Sequence, residues 1–100
     1  MPRVARPLTA DEIGARARPI LANYGVRRAA IFGSAARGQL RARSEVDFLV
    51  ELTVPIGLFR FVGLKLELEE ALGRKVDLVT IDAIKPALRA RILRELVPIA

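Results

Sequence analysis

Ile31-Phe32-Gly33-Ser34-Ala35-Ala36-Arg37-Gly38 and, after a short gap, Ser44-Glu45-Val46-Asp47-Phe48-Leu49-Val50 are the stretch that decides the fold. Arg27 to Phe32 read as a short strand of small and apolar residues, broken by Gly33. Glycine lets the backbone turn sharply and lets another group approach it closely. Ser34 to Arg37 read as a helical turn ending before Gly38. Strand, Gly-Ser bend and helix start together suit phosphate, because free N–H groups at a helix start favour an anion. Ser34 adds a hydroxyl donor, and the Arg37 guanidinium can reach phosphate oxygens. Gly33 and Gly38 also match the outer glycines of G-x-x-x-x-G, but Gln39-Leu40 stands where a Walker A loop needs Lys and Ser/Thr, so a P-loop is excluded. By itself a Gly-Ser pair after a strand signals only a turn; the acids that follow give it meaning.

Glu45 to Leu52 is the clearest strand. Val46, Phe48, Val50 and Leu52 fall on one face, and Glu45, Asp47, Leu49 and Glu51 on the other. Residues two apart on a strand point the same way, roughly 6.6 Å apart along the backbone. Glu45 and Asp47 therefore converge on one small volume, where two like charges repel unless a cation or a proton compensates. A polar, solvated strand face is the plainer reading, and it suits Glu51, which lies farther along. Asp47 resists it: Asp is among the poorest strand formers, yet it sits between Val46 and Phe48, and Asp77 repeats the anomaly between Val76 and Leu78. If the two strands are neighbours, three carboxylates gather on one sheet face as oxygen donors for Mg²⁺. The chemistry such a centre supports is phosphoryl or nucleotidyl transfer, with Asp77 the candidate acceptor of the attacking hydroxyl's proton.

Around this centre the chain reads as alternating helices and strands. Thr9-Ala10-Asp11-Glu12 fits a capping box opening a helix to about Asn23, which Pro19 should bend or split and Gly25 should end. Leu58, Phe61, Leu64, Leu68 and Leu72 recur at helical spacing, with Gly73 as the stop. Lys75 to Ile81 is a third strand, and a last helix begins near Pro86 with Leu88, Ile92 and Leu96 along one side. Strands alternating with helices predict a small sheet covered by helices.

Composition narrows the chemistry. The chain has no Cys and no His, which removes disulfides, Cys/His zinc sites, Cys nucleophiles and any His base. Residues 1–50 carry nine Arg against four acids, a formal +5, while residues 51–100 carry +1. The basic excess thus surrounds the proposed cradle, as an anionic ligand favours. With Gly counted and Tyr left out, the apolar share is 58%, above the usual ~45–50%. A domain of 100 residues does not bury all of that, so apolar surface is expected to meet a partner or a second copy in a homo-oligomer. The first residues, Met-Pro-Arg-Val-Ala-Arg-Pro, lack the apolar core of a signal peptide. No apolar run approaches the ~18 residues of a membrane span, and a cytoplasmic location is expected.

These residues resemble the minimal nucleotidyltransferases of the DNA polymerase beta superfamily. That family's pattern is Gly-Ser, x-Ala-Arg-Gly, a short loop, then Ser-Asp-x-Asp and an apolar strand; Gly33 to Gly38 and Ser44 to Val50 follow it. Lys75-Val76-Asp77-Leu78-Val79 looks like the family's third-carboxylate strand, and Ile92 to Pro98 is similar to its closing helix, so that the likeness covers about residues 10–98. It implies an α+β nucleotidyltransferase fold in αβαβαβα order, with a small mixed sheet of three to four strands packed against helices. Residues 1–100 would be a single minimal nucleotidyltransferase domain. Carried over by position, Gly33 and Ser34 would hold the triphosphate, with Arg37 matching the pattern's Arg. Asp47 would be a metal ligand, Glu45 would occupy the place of the first family Asp, and Asp77 would be the third acid. The implied cofactors are Mg²⁺, with Mn²⁺ as a substitute, and ATP as nucleotide donor. Family members commonly act as antitoxins beside a separate HEPN-domain ribonuclease toxin, and some transfer AMP from ATP to a tyrosine of that toxin. A stand-alone antitoxin with a HEPN toxin as partner is therefore implied.

Glu45 departs from the pattern. One extra methylene moves a carboxylate by roughly 1 Å, a displacement that can cost on the order of a hundredfold in rate. The alternative function is accordingly a nucleotidyltransferase-fold module that neutralises its partner by binding alone. A third reading, a nucleic-acid binder, follows from the basic first half. Four Phe and one Tyr offer little base stacking, so specific nucleic-acid binding is not expected.

Overall fold

The structure is a computed structural model that describes residues 8–38 and 45–100. Gln39-Leu40, Ser44 and the opening Met-Pro-Arg segment lie outside the described residues. Helix α1 (Ala10–Asn23) begins as the sequence predicts: Glu12 N–H donates to Thr9 Oγ1 at 3.1 Å. Pro19 does not split it. The prolyl ring is exposed while Ala17 and Leu21 are buried, so packing of the inner face holds the helix across the lost hydrogen bond. The chain leaves α1 through Gly25 at φ 71°, a left-handed turn that glycine adopts without penalty.

Strand β1 (Val26–Phe32) leads into a single helical turn, α2 (Gly33–Ala36), and β2 (Val46–Leu52) pairs antiparallel with β1. Helix α3 (Leu58–Leu72), capped by Gly73 in the left-handed region, crosses to β3 (Val76–Thr80), which lies parallel to β2. A 3-10 turn (Ile81–Ala83) and α4 (Pro86–Glu95) follow, and the two-residue β4 (Val97–Pro98) returns antiparallel to β1. The sheet order is β3-β2-β1-β4. This is the mixed α+β sheet with helices that the sequence implied. β4 is an edge strand, a position where proline's missing N–H is tolerated. Leu96 falls just beyond α4 and does not share its helical stripe.

One sheet face carries the core. Ile31, Val46, Phe48, Val50, Val76 and Leu78 meet Ile13, Ala17 and Leu21 of α1 and Leu64, Leu68 and Leu72 of α3, and the members of this cluster are fully or almost fully buried. The period-two alternation of β2 sends Asp47 and Leu49 to the other face. Leu49 is buried there and shares a groove with Leu93 and Leu96, so the second face is partly covered. Among the described residues no helix is long and apolar enough to cross a membrane. Val54, Leu58, Phe59, Val62 and Leu66 remain exposed, Phe59 at 93%, as the apolar surplus led us to expect.

Candidate active site

Register builds the site. Antiparallel pairing sets Phe32, the last residue of β1, opposite Asp47, and parallel pairing sets Asp77 opposite the same Asp47. Both aspartates occupy the face turned away from the core, and Glu45, just before β2, reaches the same volume. One carboxylate oxygen from each of Glu45, Asp47 and Asp77 lies within 4.8 Å of the other two. Glu51, at the far end of β2, is instead held by Arg28 at 3.3 Å, in keeping with its reading as a solvated acid.

Because Phe32 faces Asp47, the residue after it arrives beside the Asp47 carboxylate. Gly33 stands there at φ 68°, and a Cβ added to it would lie 2.5 Å from Asp47 Oδ2. The glycine is required twice, for its backbone conformation and for the close approach of the acid. Among the described residues no side chain caps the first amides of α2, whose turn closes with Arg37 N–H donating to Gly33 O at 3.2 Å. The Gly33 bend and the acids singled out from sequence therefore lie side by side.

The electrostatics of that place are strained. Burial, then the charges of Asp77 and Glu45, push the Asp47 carboxyl up from 3.8 to about 6, with Arg37 opposing. A carboxylate so disfavoured by its own neighbours is stabilised by a cation. All three side chains offer only oxygen, the donor set of a hard divalent ion. The residues present fit Mg²⁺ or Mn²⁺.

The last helix contributes what the sequence reading did not assign. A groove of ≈ 400 Å³ runs between Phe32, Gly33, Ser34, Arg37 and Asp47 on one side and Leu88, Arg91, Ile92 and Glu95 of α4 on the other. Such a volume lies in the range of small-ligand sites. Arg37 donates to Glu95 Oε1 at 3.2 Å, and Arg91 Nε lies 4.0 Å from the same oxygen. The available signal was the i, i+4 pair Arg91 and Glu95; nothing in it says which way α4 faces.

A mixed sheet with a glycine bend against a three-carboxylate centre defines the nucleotidyltransferase class of fold and site. The comparisons agree. A family model described as the nucleotidyltransferase domain matches residues 16–99. The chain is 46% identical over 89 residues to MJ0435 of Methanocaldococcus jannaschii, a candidate protein adenylyltransferase, covering 89% of this chain and 96% of that one. It is 36% identical over 94 residues to the protein adenylyltransferase MntA of Thermococcus cleftensis, covering 90% and 95%. A solved structure described as a candidate minimal nucleotidyltransferase superposes with a TM-score of 0.78 at 35% identity, covering 94% of this chain and 99% of that one. A chain from the complex of tri-AMPylated Shewanella oneidensis HEPN toxin with MNT antitoxin superposes at 0.71, with 16% identity and 92% and 72% coverage, a likeness of fold. The chain belongs to the nucleotidyltransferase domain family, and it is an enzyme of the minimal nucleotidyltransferase type.

Proposed function

We propose that this protein transfers AMP from ATP to a tyrosine hydroxyl of a separate HEPN-domain toxin and acts, in the cytoplasm, as the antitoxin of that toxin. The observation that carries the proposal is the convergence of Glu45, Asp47 and Asp77 against the Gly33 bend. The adenylyltransferase names of its relatives and the AMPylated toxin in the structural neighbour support the donor and the class of acceptor. Glu45, Asp47 and Asp77 would hold Mg²⁺ or Mn²⁺, which supplies charge neutralisation and Lewis acidity at the transferring phosphate. The Gly33-Ser34 bend receives the phosphates through its amides and the Ser34 hydroxyl. The acceptor oxygen attacks the α-phosphorus, the bond to pyrophosphate breaks, and the hydroxyl proton passes to Asp77, which is exposed and lies opposite Asp47 on the neighbouring strand.

Incubation of the protein with labelled ATP, a divalent cation and its natural toxin partner tests this. Label should appear on the partner and vanish with Asp47→Ala. Absence of label in both Mg²⁺ and Mn²⁺ refutes the proposal. A second reading, neutralisation by contact alone, draws on Glu45 in place of Asp and on the exposed Leu58, Phe59 and Leu66. It gains if Asp47→Ala still protects cells fully, and falls if protection is lost while the complex persists.

A further inference from the structure

We propose that α4 is the second wall of the nucleotide site, with Arg91 a nucleotide-binding residue and Glu95 the positioning residue that sets Arg91 and Arg37 over the groove. The inference rests on the nucleotide-transfer reading and extends it to residues outside the acidic centre. Leu88, Arg91, Ile92 and Glu95 follow the i, i+3, i+4, i+7 spacing of one helix face, and all four line the groove that Gly33 and Ser34 enter from the opposite side. The helix also carries Arg89 and Arg94, neither of which lines that groove. Direction, more than charge, distinguishes Arg91.

A bound triphosphate brings about four negative charges into a site whose floor already holds three carboxylates. Divalent cations offset the carboxylate side, and the phosphate oxygens turned toward α4 need donors of their own. Among the described residues, Arg37 and Arg91 are the cations lining the groove. Each guanidinium has five N–H donors in a fixed fork that matches phosphate oxygens. Glu95 joins the two: its Oε1 accepts from Arg37 at 3.2 Å and lies 4.0 Å from Arg91 Nε. Its side chain is 28% exposed, against 45% for Arg37 and 69% for Arg91, so the carboxylate is the fixed member of the trio. Leu88 and Ile92, four residues apart on the same face, give the sugar or base an apolar surface between the charges.

The test is calorimetric binding of a non-hydrolysable ATP analogue with Mg²⁺ to the full chain. Arg91→Gln should raise Kd at least about tenfold, the loss of a charge-assisted bond to phosphate. Arg89→Gln, an equal change of charge on the same helix, should raise it less than about threefold. Glu95→Ala should weaken binding several-fold, and Glu95→Gln, whose amide oxygen still accepts from Arg37, should recover most of it without a matching change in Tm. Equal effects of Arg91→Gln and Arg89→Gln would overturn the assignment of Arg91. Tighter binding by Glu95→Ala would overturn the positioning role, because the carboxylate would then be competing with the phosphates. If the unaltered protein binds no nucleotide, the transfer reading falls as well; if it binds and these variants do not discriminate, only the α4 inference falls.

Discussion

Asp47→Asn should stabilise this protein in metal-free buffer while abolishing its chemistry. The Asp47 carboxyl is raised from 3.8 to about 6 by burial and by the charges of Asp77 and Glu45. The unfolded chain releases that proton near 3.8, whereas the folded chain keeps it until about 6. Between those values the folded state binds more protons, so stability falls as pH rises through the window and the full penalty is present above it. A roughly hundredfold change in proton affinity is about 3 kcal/mol at full strength. Asp47 is only half-buried, and solvent screening reduces this to about 1 kcal/mol. For a domain of this size that is about 4–8 °C in Tm. Thermal unfolding in EDTA should therefore show Asp47→Asn above the unaltered protein by several degrees at pH 7.5, with the gap closing by pH 4.5. Millimolar Mg²⁺ or Mn²⁺ should raise the Tm of the unaltered protein and not that of the variant. A variant no more stable than its parent at pH 7.5, or a gap that persists at pH 4.5, would refute the reasoning.

Three other outcomes follow from the geometry. Gly33→Ala places a methyl 2.5 Å from Asp47 Oδ2 at a left-handed backbone position; it should cost about 1–2 kcal/mol and, by displacing the acid, lower transfer on the order of a hundredfold, read by denaturant unfolding beside a labelling assay. Glu45→Gln should lose at least about tenfold in divalent-ion affinity, as removal of a charged ligand does, whereas Glu45→Asp should keep it; equal affinity for Glu45→Gln and the parent would remove Glu45 from the ligand set. Phe48, fully buried, should cost about 3–5 kcal/mol when cut to Ala, while Phe59, 93% exposed, should change stability by less than about 0.5 kcal/mol when replaced by Ser; urea unfolding distinguishes the two.

What could be read from the chain was local or periodic. Thr9 and Glu12 announced the start of α1, Gly73 the end of α3, and the alternation from Val46 to Val50 the inward face of β2. The two aspartates stood out because each interrupts an apolar strand, and the register of parallel strands then sets one against the other. Other features depended on tertiary contact. Pro19 was expected to bend or split α1, but the helix runs unsplit, with buried side chains on the side opposite the proline holding it together. β4 has two residues, too few for any period, and exists because β1 offers an open edge. The sequence marks Arg91 and Glu95 as a helical pair but says nothing of the groove they face, which depends on how α4 meets the Gly33-Ser34 bend.

The most direct test of the central claim is anomalous scattering from crystals grown with Mn²⁺ and a non-hydrolysable ATP analogue. The account predicts a manganese peak bounded by oxygens of Glu45, Asp47 and Asp77, with the phosphates of the nucleotide against Gly33 and Ser34. Manganese held elsewhere, or phosphates seated away from the glycine bend, would contradict it.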